Sequence, residues 1–192
     1  LDALGIDKVL VPGTSMGGMI TIAFTANHGD RVIASCADVC FAKPDVYRKT
    51  LFRVWRRMAE TMAWDDFSDH VVTQAVGARF LETEEGKGTF DMVRTVINLN
   101  DPYTVRQACL AMETMDLSPL VPKIQRPMLM TNGTYDILCP PELAPSGLGA
   151  RQMAAANANI TYHEFEDIGH ADLLECPQDA IRLVTEFYRQ HL

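Results

Sequence analysis

Val9-Leu10-Val11-Pro12-Gly13-Thr14-Ser15-Met16-Gly17-Gly18 is an apolar run that feeds a G-x-S-x-G turn and then a helical pattern. A strand that bends sharply into a helix at a serine pushes the hydroxyl clear of the sheet edge, where it is free to attack a substrate. Pro12 lacks a backbone donor, so the expected strand is Lys8 to Val11, ending where the turn begins. Beyond the turn, Met19, Ile20, Ala23 and Phe24 fall on one side of a helix that Gly29 is placed to stop. Upstream, Leu1 to Ile6 reads as the last turn of a helix ended by Gly5. Downstream, Val32-Ile33-Ala34-Ser35-Cys36-Ala37 is a second apolar strand, and strand, helix, strand in this order makes a right-handed parallel unit.

A serine hydroxyl is a weak nucleophile unless a base takes its proton, and that base must be held in one tautomer by a carboxylate. The sequence therefore has to supply two partners. Thr131-Asn132-Gly133-Thr134-Tyr135-Asp136 places Asp136 just past the strand expected at Met128 to Thr131. Asp167-Ile168-Gly169-His170 places His170 just past the strand expected at Ile160 to Phe165. Loops leaving the C-terminal edge of a parallel sheet converge, so residues far apart in sequence meet there.

Between these strands the pattern turns helical. The chain is expected to form a core over residues 1–40, a helical cap over 41–118 and a second core segment over 119–192. Four cap helices are expected. The first carries Leu51, Trp55, Met58 and Met62 on one stripe, with a basic face on which Arg56 and Glu60 pair one turn apart. Two more cover Phe67 to Leu81 and Phe90 to Leu99, separated by a Glu84–Gly88 loop. The fourth opens with Asp101 as N-cap and Pro102 at the first helical position. Trp55, Trp64 and Met112 are candidates to line an apolar substrate cleft under the cap, a role that competes with packing of the cap's own core. After the cap, Leu148 to Asn157 is expected to be helical, and Pro177 opens a terminal helix with Ile181, Val184 and Tyr188 inward.

S-M-G-G around Ser15, N-G-T-Y-D followed by P-P-E, and G-H-A-D-L-L-E-C-P around His170 occur in that order. On these motifs the chain resembles the α/β-hydrolase fold from its nucleophile strand to its C-terminus. The stretch from Asn100-Asp101-Pro102-Tyr103 through Met115-Asp116-Leu117 to Pro122-Lys123-Ile124 is similar to the 3-oxoadipate enol-lactonase-like branch. The resemblance implies a parallel sheet with helices on both faces and an inserted helical cap. It implies Ser15 as nucleophile, His170 as base and later acid, Asp136 as the orienting carboxylate, and the backbone N–H of Met16 as an oxyanion donor. Asp38, just past the second strand, is the rival acid, and Asp136 is preferred because the fold's acid follows a later strand. Gly17 and Gly18 are expected to let the helix approach closely.

The function so implied is cleavage of a small carboxylic ester or lactone through an acyl-enzyme, with no cofactor and no metal. The alternatives are an acyltransferase with the same three residues and a ligand-binding or receptor module. The last gains support because the fold's earlier strands, and the loop giving the second oxyanion N–H, are expected to lie outside this chain. Losing one such donor costs a serine hydrolase about a hundred to a thousandfold in rate. A companion N-terminal segment or self-association is the expected cover for the open sheet edge.

Composition narrows the remaining classes. The 192 residues are 47% hydrophobic and 22% charged, the balance of an ordinary globular protein. With 17 basic against 25 acidic side chains the formal net charge is -8, which disfavours nucleic acid and anionic membrane surfaces as partners. Cys36, Cys40, Cys109, Cys139 and Cys176 are odd in number and follow no metal-ligand spacing, so they read as free thiols of a reducing, cytoplasmic compartment.

Overall fold

The computed structural model describes residues 1–192. In chain order the elements are β1 (Val9–Thr14), α1 (Met16–Asn27), β2 (Val32–Asp38) and β3 (Phe41–Lys43). The helices α2 (Val46–Thr61), α3 (Trp64–Ala75), α4 (Ala78–Leu81), α5 (Glu84–Asn98) and α6 (Pro102–Thr114) follow. The chain then forms β4 (Met128–Gly133), β5 (Leu148–Gly149), α7 (Ala150–Ala156), β6 (Ile160–Phe165), α8 (Asp172–Glu175) and α9 (Pro177–Arg189).

Strands β1, β2, β4 and β6 form one parallel sheet in the order β1-β2-β4-β6. Alternation along the strands gives the sheet two apolar faces. Ala37, Met128 and Met130 join Met19 and Ile22 of α1 and Met153 of α7 in the larger core. Ala34, Cys36 and Leu129 face the other way, against Phe187 of α9. The short pair β3 and β5 is antiparallel.

The helical block from α2 to α6 leaves and rejoins the core at one place. Leu117 N–H donates to the Ala42 carbonyl at 2.8 Å, and Lys43 pairs with Asp116 beside it. Within the block, α2 packs on α6 and α3 on α5. Phe52, Trp55 and Phe67 of the block pack on one another and, through Phe41 of β3, join the larger core, where burial of each stabilises by about 2 kcal/mol.

Local chemistry departs from the sequence expectations at several points. β1 runs through Pro12 to Thr14 with Pro12 opposite Cys36, which is tolerated because β1 is an edge strand with β2 as its one neighbour. α1 ends at Asn27 with His28 as its C-cap, and Gly29 instead opens a short 3-10 turn. The Glu84–Gly88 segment is the first turn of α5 and not a loop. The Thr83 hydroxyl accepts the Gly86 N–H, and Glu84 and Glu85 favour the positive end of the helix. The block therefore has five helices, since Gly77 separates α3 from a short α4. Arg56 pairs with Glu113 and Glu60 with Arg106, so these charges tie α2 to α6 and do not pair along one helix. On α9 Ile181 is 60% exposed, while Val184 and Tyr188 pack on the sheet cluster as expected, beside the buried Ala180 and Phe187.

Candidate active site

Ser15 joins β1 to α1 with φ 55 and ψ -118, a left-handed conformation that a non-glycine residue rarely adopts. Such strain costs on the order of 1–3 kcal/mol and persists where the surroundings dictate it. The surroundings here are close. Ser15 N–H donates to the Asp38 carbonyl at 2.9 Å, and a Cβ on Gly13 would lie 2.2 Å from the Gly17 carbonyl oxygen. A Cβ on Gly18 would meet Cys40 Sγ at 2.8 Å and the Asp38 carbonyl at 2.9 Å. Gly13 and Gly18 are therefore the positions that require glycine. The expectation for Gly17 does not hold, because a Cβ there would touch nothing within 4 Å.

The three loops converge. His170 Nε2 lies 2.9 Å from Ser15 Oγ, and His170 Nδ1 lies 2.8 Å from Asp136 Oδ2. Asp136 is fixed in turn, since its Oδ1 accepts the Leu138 and Cys139 N–H groups at 2.9 and 2.8 Å. The His170 N–H donates to the Ala75 carbonyl at 2.9 Å, which ties the histidine loop to the end of α3. His170 and Asp136 are buried, at 8% and 2% exposure, and Ser15 is half-buried. Met16 opens α1, where a backbone N–H has no partner within its helix.

Burial opposes protonation of His170. The attraction and hydrogen bond of Asp136, with the charges of Asp38 and Glu175, outweigh it and raise the imidazole above its ordinary value. Asp136, Cys139 and His170 cluster closely enough to suggest a metal site. Both ring nitrogens of His170 already face Asp136 and Ser15, which leaves neither to bind an ion.

Asp38 is not the partner of His170. Its carboxyl accepts the Thr131 hydroxyl and lies in hydrogen-bond contact with Asp172, a residue that the sequence reading passed over. Its signal was an acidic residue two positions after His170, between Ala171 and Leu173. Trp55 is 7% exposed and packs edge-on against Phe52 and Phe67, so it lines no open cleft. Trp64 stacks on Phe67 at 4.8 Å, and Met112 packs against the same core. The indole N–H groups of both tryptophans are buried without a hydrogen-bond partner. A cavity of about 170 Å³ lies beside the elbow, lined in part by Pro12, Thr14, Asp38, Asp172 and Val184.

No family model matches the chain. It is 24% identical over 135 residues to two curated pimeloyl-(acyl-carrier protein) methyl ester esterases of Neisseria meningitidis serogroup B, covering 68% of this chain. The chain spans about half the length of these relatives, 52%. The enol-lactonase of Burkholderia xenovorans superposes with a TM-score of 0.85 at 26% identity, over 98% of this chain and 68% of that one. A thermophilic esterase of Thermogutta terrifontis superposes with a TM-score of 0.80 at 22% identity, over 100% of this chain and 69% of that one. No helix is long and apolar enough to cross a membrane. With a parallel sheet, a strained serine elbow and these likenesses, the chain has the α/β-hydrolase fold and is similar to esterases and enol-lactonases of that superfamily.

Proposed function

We propose that the chain carries the nucleophile, base and acid of a serine hydrolase acting on a small carboxylic ester or lactone. The observation that carries this reading is the unbroken hydrogen-bonded chain from Ser15 Oγ through His170 to Asp136, set on a strained elbow. His170 Nε2 takes the hydroxyl proton as Ser15 Oγ forms a bond to the substrate carbonyl carbon, and Asp136 stabilises the imidazolium. The Met16 N–H faces the oxyanion. Collapse of the tetrahedral intermediate breaks the bond to the leaving oxygen, which takes the proton from His170 and leaves an acyl group on Ser15. Water, activated by the same histidine, then releases the acid.

A second oxyanion donor and a cover for the free edge of β1 complete this reading. Pro12 and Thr14 are exposed on that strand, so an added strand from a companion segment or from a second copy is the proposed source of both. Five free cysteines, four of them buried, suit a reducing compartment, and we assign the chain to the cytoplasm.

A fluorophosphonate probe tests the assignment, because the probe's phosphorus bonds to an activated serine oxygen and loses fluoride. Intact mass of the folded chain is expected to gain one adduct, mapped to Ser15 and absent in Ser15→Ala. Folded protein that forms no adduct at neutral pH overturns the reading.

A further inference from the structure

Asp38 is the last residue of β2, and Asp172 opens α8 two residues after His170. Both are nearly sealed from solvent, at 5% and 1% exposure. Asp38 touches both halves of the site. Its carbonyl accepts the Ser15 N–H at 2.9 Å, and its carboxyl meets Asp172 on the histidine loop.

The side-chain partners of this pair are incomplete. Asp38 Oδ1 accepts the Thr131 hydroxyl, and Asp172 Oδ1 accepts the Leu173 N–H at 2.7 Å. Asp38 Oδ2 is buried and meets no donor at full hydrogen-bond geometry, the Thr14 hydroxyl and the Asp172 carboxyl being the polar groups beside that side chain. Two ionised carboxylates in contact away from water repel strongly, whereas one proton between them replaces repulsion with a hydrogen bond and satisfies the orphan oxygen.

We propose that Asp38 and Asp172 hold a single proton between them and act as positioning residues that clamp the His170 loop to the end of β2. The proposal rests on His170 being the base of the proposed reaction. Asp38 accepts the Thr131 hydroxyl and has the Thr14 hydroxyl beside it, so it is the better-supported carboxylate, and the proton sits on Asp172 and is donated to Asp38. Burial, and then the Asp38 charge, pushes Asp172 up to about 9, and burial raises Asp38 as well despite the bonds it accepts. With one proton shared, the pair carries one negative charge beside His170.

The other titratable groups around the pair leave that charge in place. The thiols of Cys36, Cys40 and Cys176 are pushed up by burial and then by these same carboxylates, so they stay neutral. Facing His170 are Asp136, Asp38 and Glu175, with Cys139 close by and its thiol also pushed up by burial. Asp38 is thus a source of imidazolium stabilisation separate from Asp136.

The test is an NMR titration of the His170 ring in the unmodified chain, in Asp172→Asn and in Asp38→Asn/Asp172→Asn. Asparagine at 172 donates to Asp38 as the protonated carboxyl does, so the midpoint is expected to stay within about 0.3 pH of the unmodified chain. The double variant loses the charge, and its midpoint is expected to fall by about 0.5 pH or more. A larger fall in Asp172→Asn, the mark of two ionised carboxylates, overturns the proposal. So does a double variant that titrates like the unmodified chain. Infrared spectra of the unmodified chain need no variant to fold. They are expected to show a protonated carboxyl band at pH 7 that fades toward about 9, and its absence at pH 7 overturns the proposal. Neither readout needs turnover, so a chain that fails to label at Ser15 defeats the hydrolase reading while leaving this one measurable.

Discussion

Asp136 holds His170 through one carboxylate oxygen and is itself held through the other, with Oδ2 2.8 Å from His170 Nδ1 and Oδ1 accepting two backbone N–H groups. This division fixes the tautomer. An acceptor at Oδ2 requires the imidazole proton on Nδ1, which leaves Nε2 bare toward Ser15.

Asp136→Asn is expected to invert that arrangement. The amide oxygen has to face the Leu138 and Cys139 N–H groups, so the NH₂ group turns to Nδ1 and drives the imidazole proton onto Nε2. Ester hydrolysis is expected to fall by about 10⁴ with little loss of stability. The check is steady-state turnover of a p-nitrophenyl ester beside a melting curve. A loss under tenfold would place the acid elsewhere.

Ser15 pays for its exposure in backbone strain. To glycine, φ 55 and ψ -118 is the mirror image of an ordinary extended conformation. Ser15→Gly is therefore expected to be more stable than Ser15→Ala by about 1 kcal/mol, both variants being inactive. Chemical denaturation of the two decides the order, and equal midpoints would mean that the turn stores no strain.

The pH dependence follows from the raised His170. The base works only when neutral, and its folded value lies above the ordinary 6.5, so the acid limb of kcat/KM is expected above pH 6.5. The stability effect has the opposite sense. A raised folded value favours the folded state below 6.5, and this contribution is lost as pH rises through the folded value. A rate profile whose limb falls below 6.5 would contradict the charge arrangement around the ring.

Most of this site was legible because each catalytic candidate sits where a parallel strand ends, and strand ends announce themselves by apolar runs. Ser15 follows β1 directly, and Asp136 and His170 lie in the loops just past β4 and β6. Asp172 was not legible, because its importance depends on the end of β2 lying beside the start of α8, a juxtaposition no local pattern encodes. The helical block between Val46 and Thr114 was ambiguous for a different reason. Trp55, Trp64 and Met112 have the residue types of a binding cleft and of a packed core alike, and sequence carries no measure of which face meets the sheet. At Glu84 to Gly88, two glycines suggested a loop, while the Thr83 cap and two glutamates favoured a helix start. Capping prevailed because the glycines lie in the first turn, next to the unsatisfied N–H groups that the cap serves.

Asp172 also links the site to global stability. Its folded value near 9 lies above its ordinary 3.8, so the folded state binds a proton that the unfolded state has released. That stabilisation is present below pH 3.8 and drains away as pH rises toward about 9. Asp172→Asn is expected to flatten the fall. The melting temperature of the unmodified chain should drop relative to the variant between pH 5 and pH 8. Parallel curves would show that the carboxyl is ionised in the folded state.

The two glycines flanking the elbow give the sharpest structural contrast. A methyl group at Gly13 would sit 2.2 Å from the Gly17 carbonyl oxygen and 2.4 Å from Thr21 Oγ1, and the first of these is backbone that cannot rotate away. Gly13→Ala is expected to push α1 off β1, costing on the order of 3 kcal/mol or more and opening the 2.9 Å contact between Ser15 and His170. Gly17 lies one residue into the same helix, yet its methyl would meet nothing within 4 Å. Gly17→Ala replaces the weaker helix former with the strongest and is expected to gain up to about 1 kcal/mol. Denaturation midpoints of the two variants, read with fluorophosphonate labelling rates, check both halves. Equal behaviour of the two would mean that the close approach of β1 and α1 is not what holds Ser15 in place.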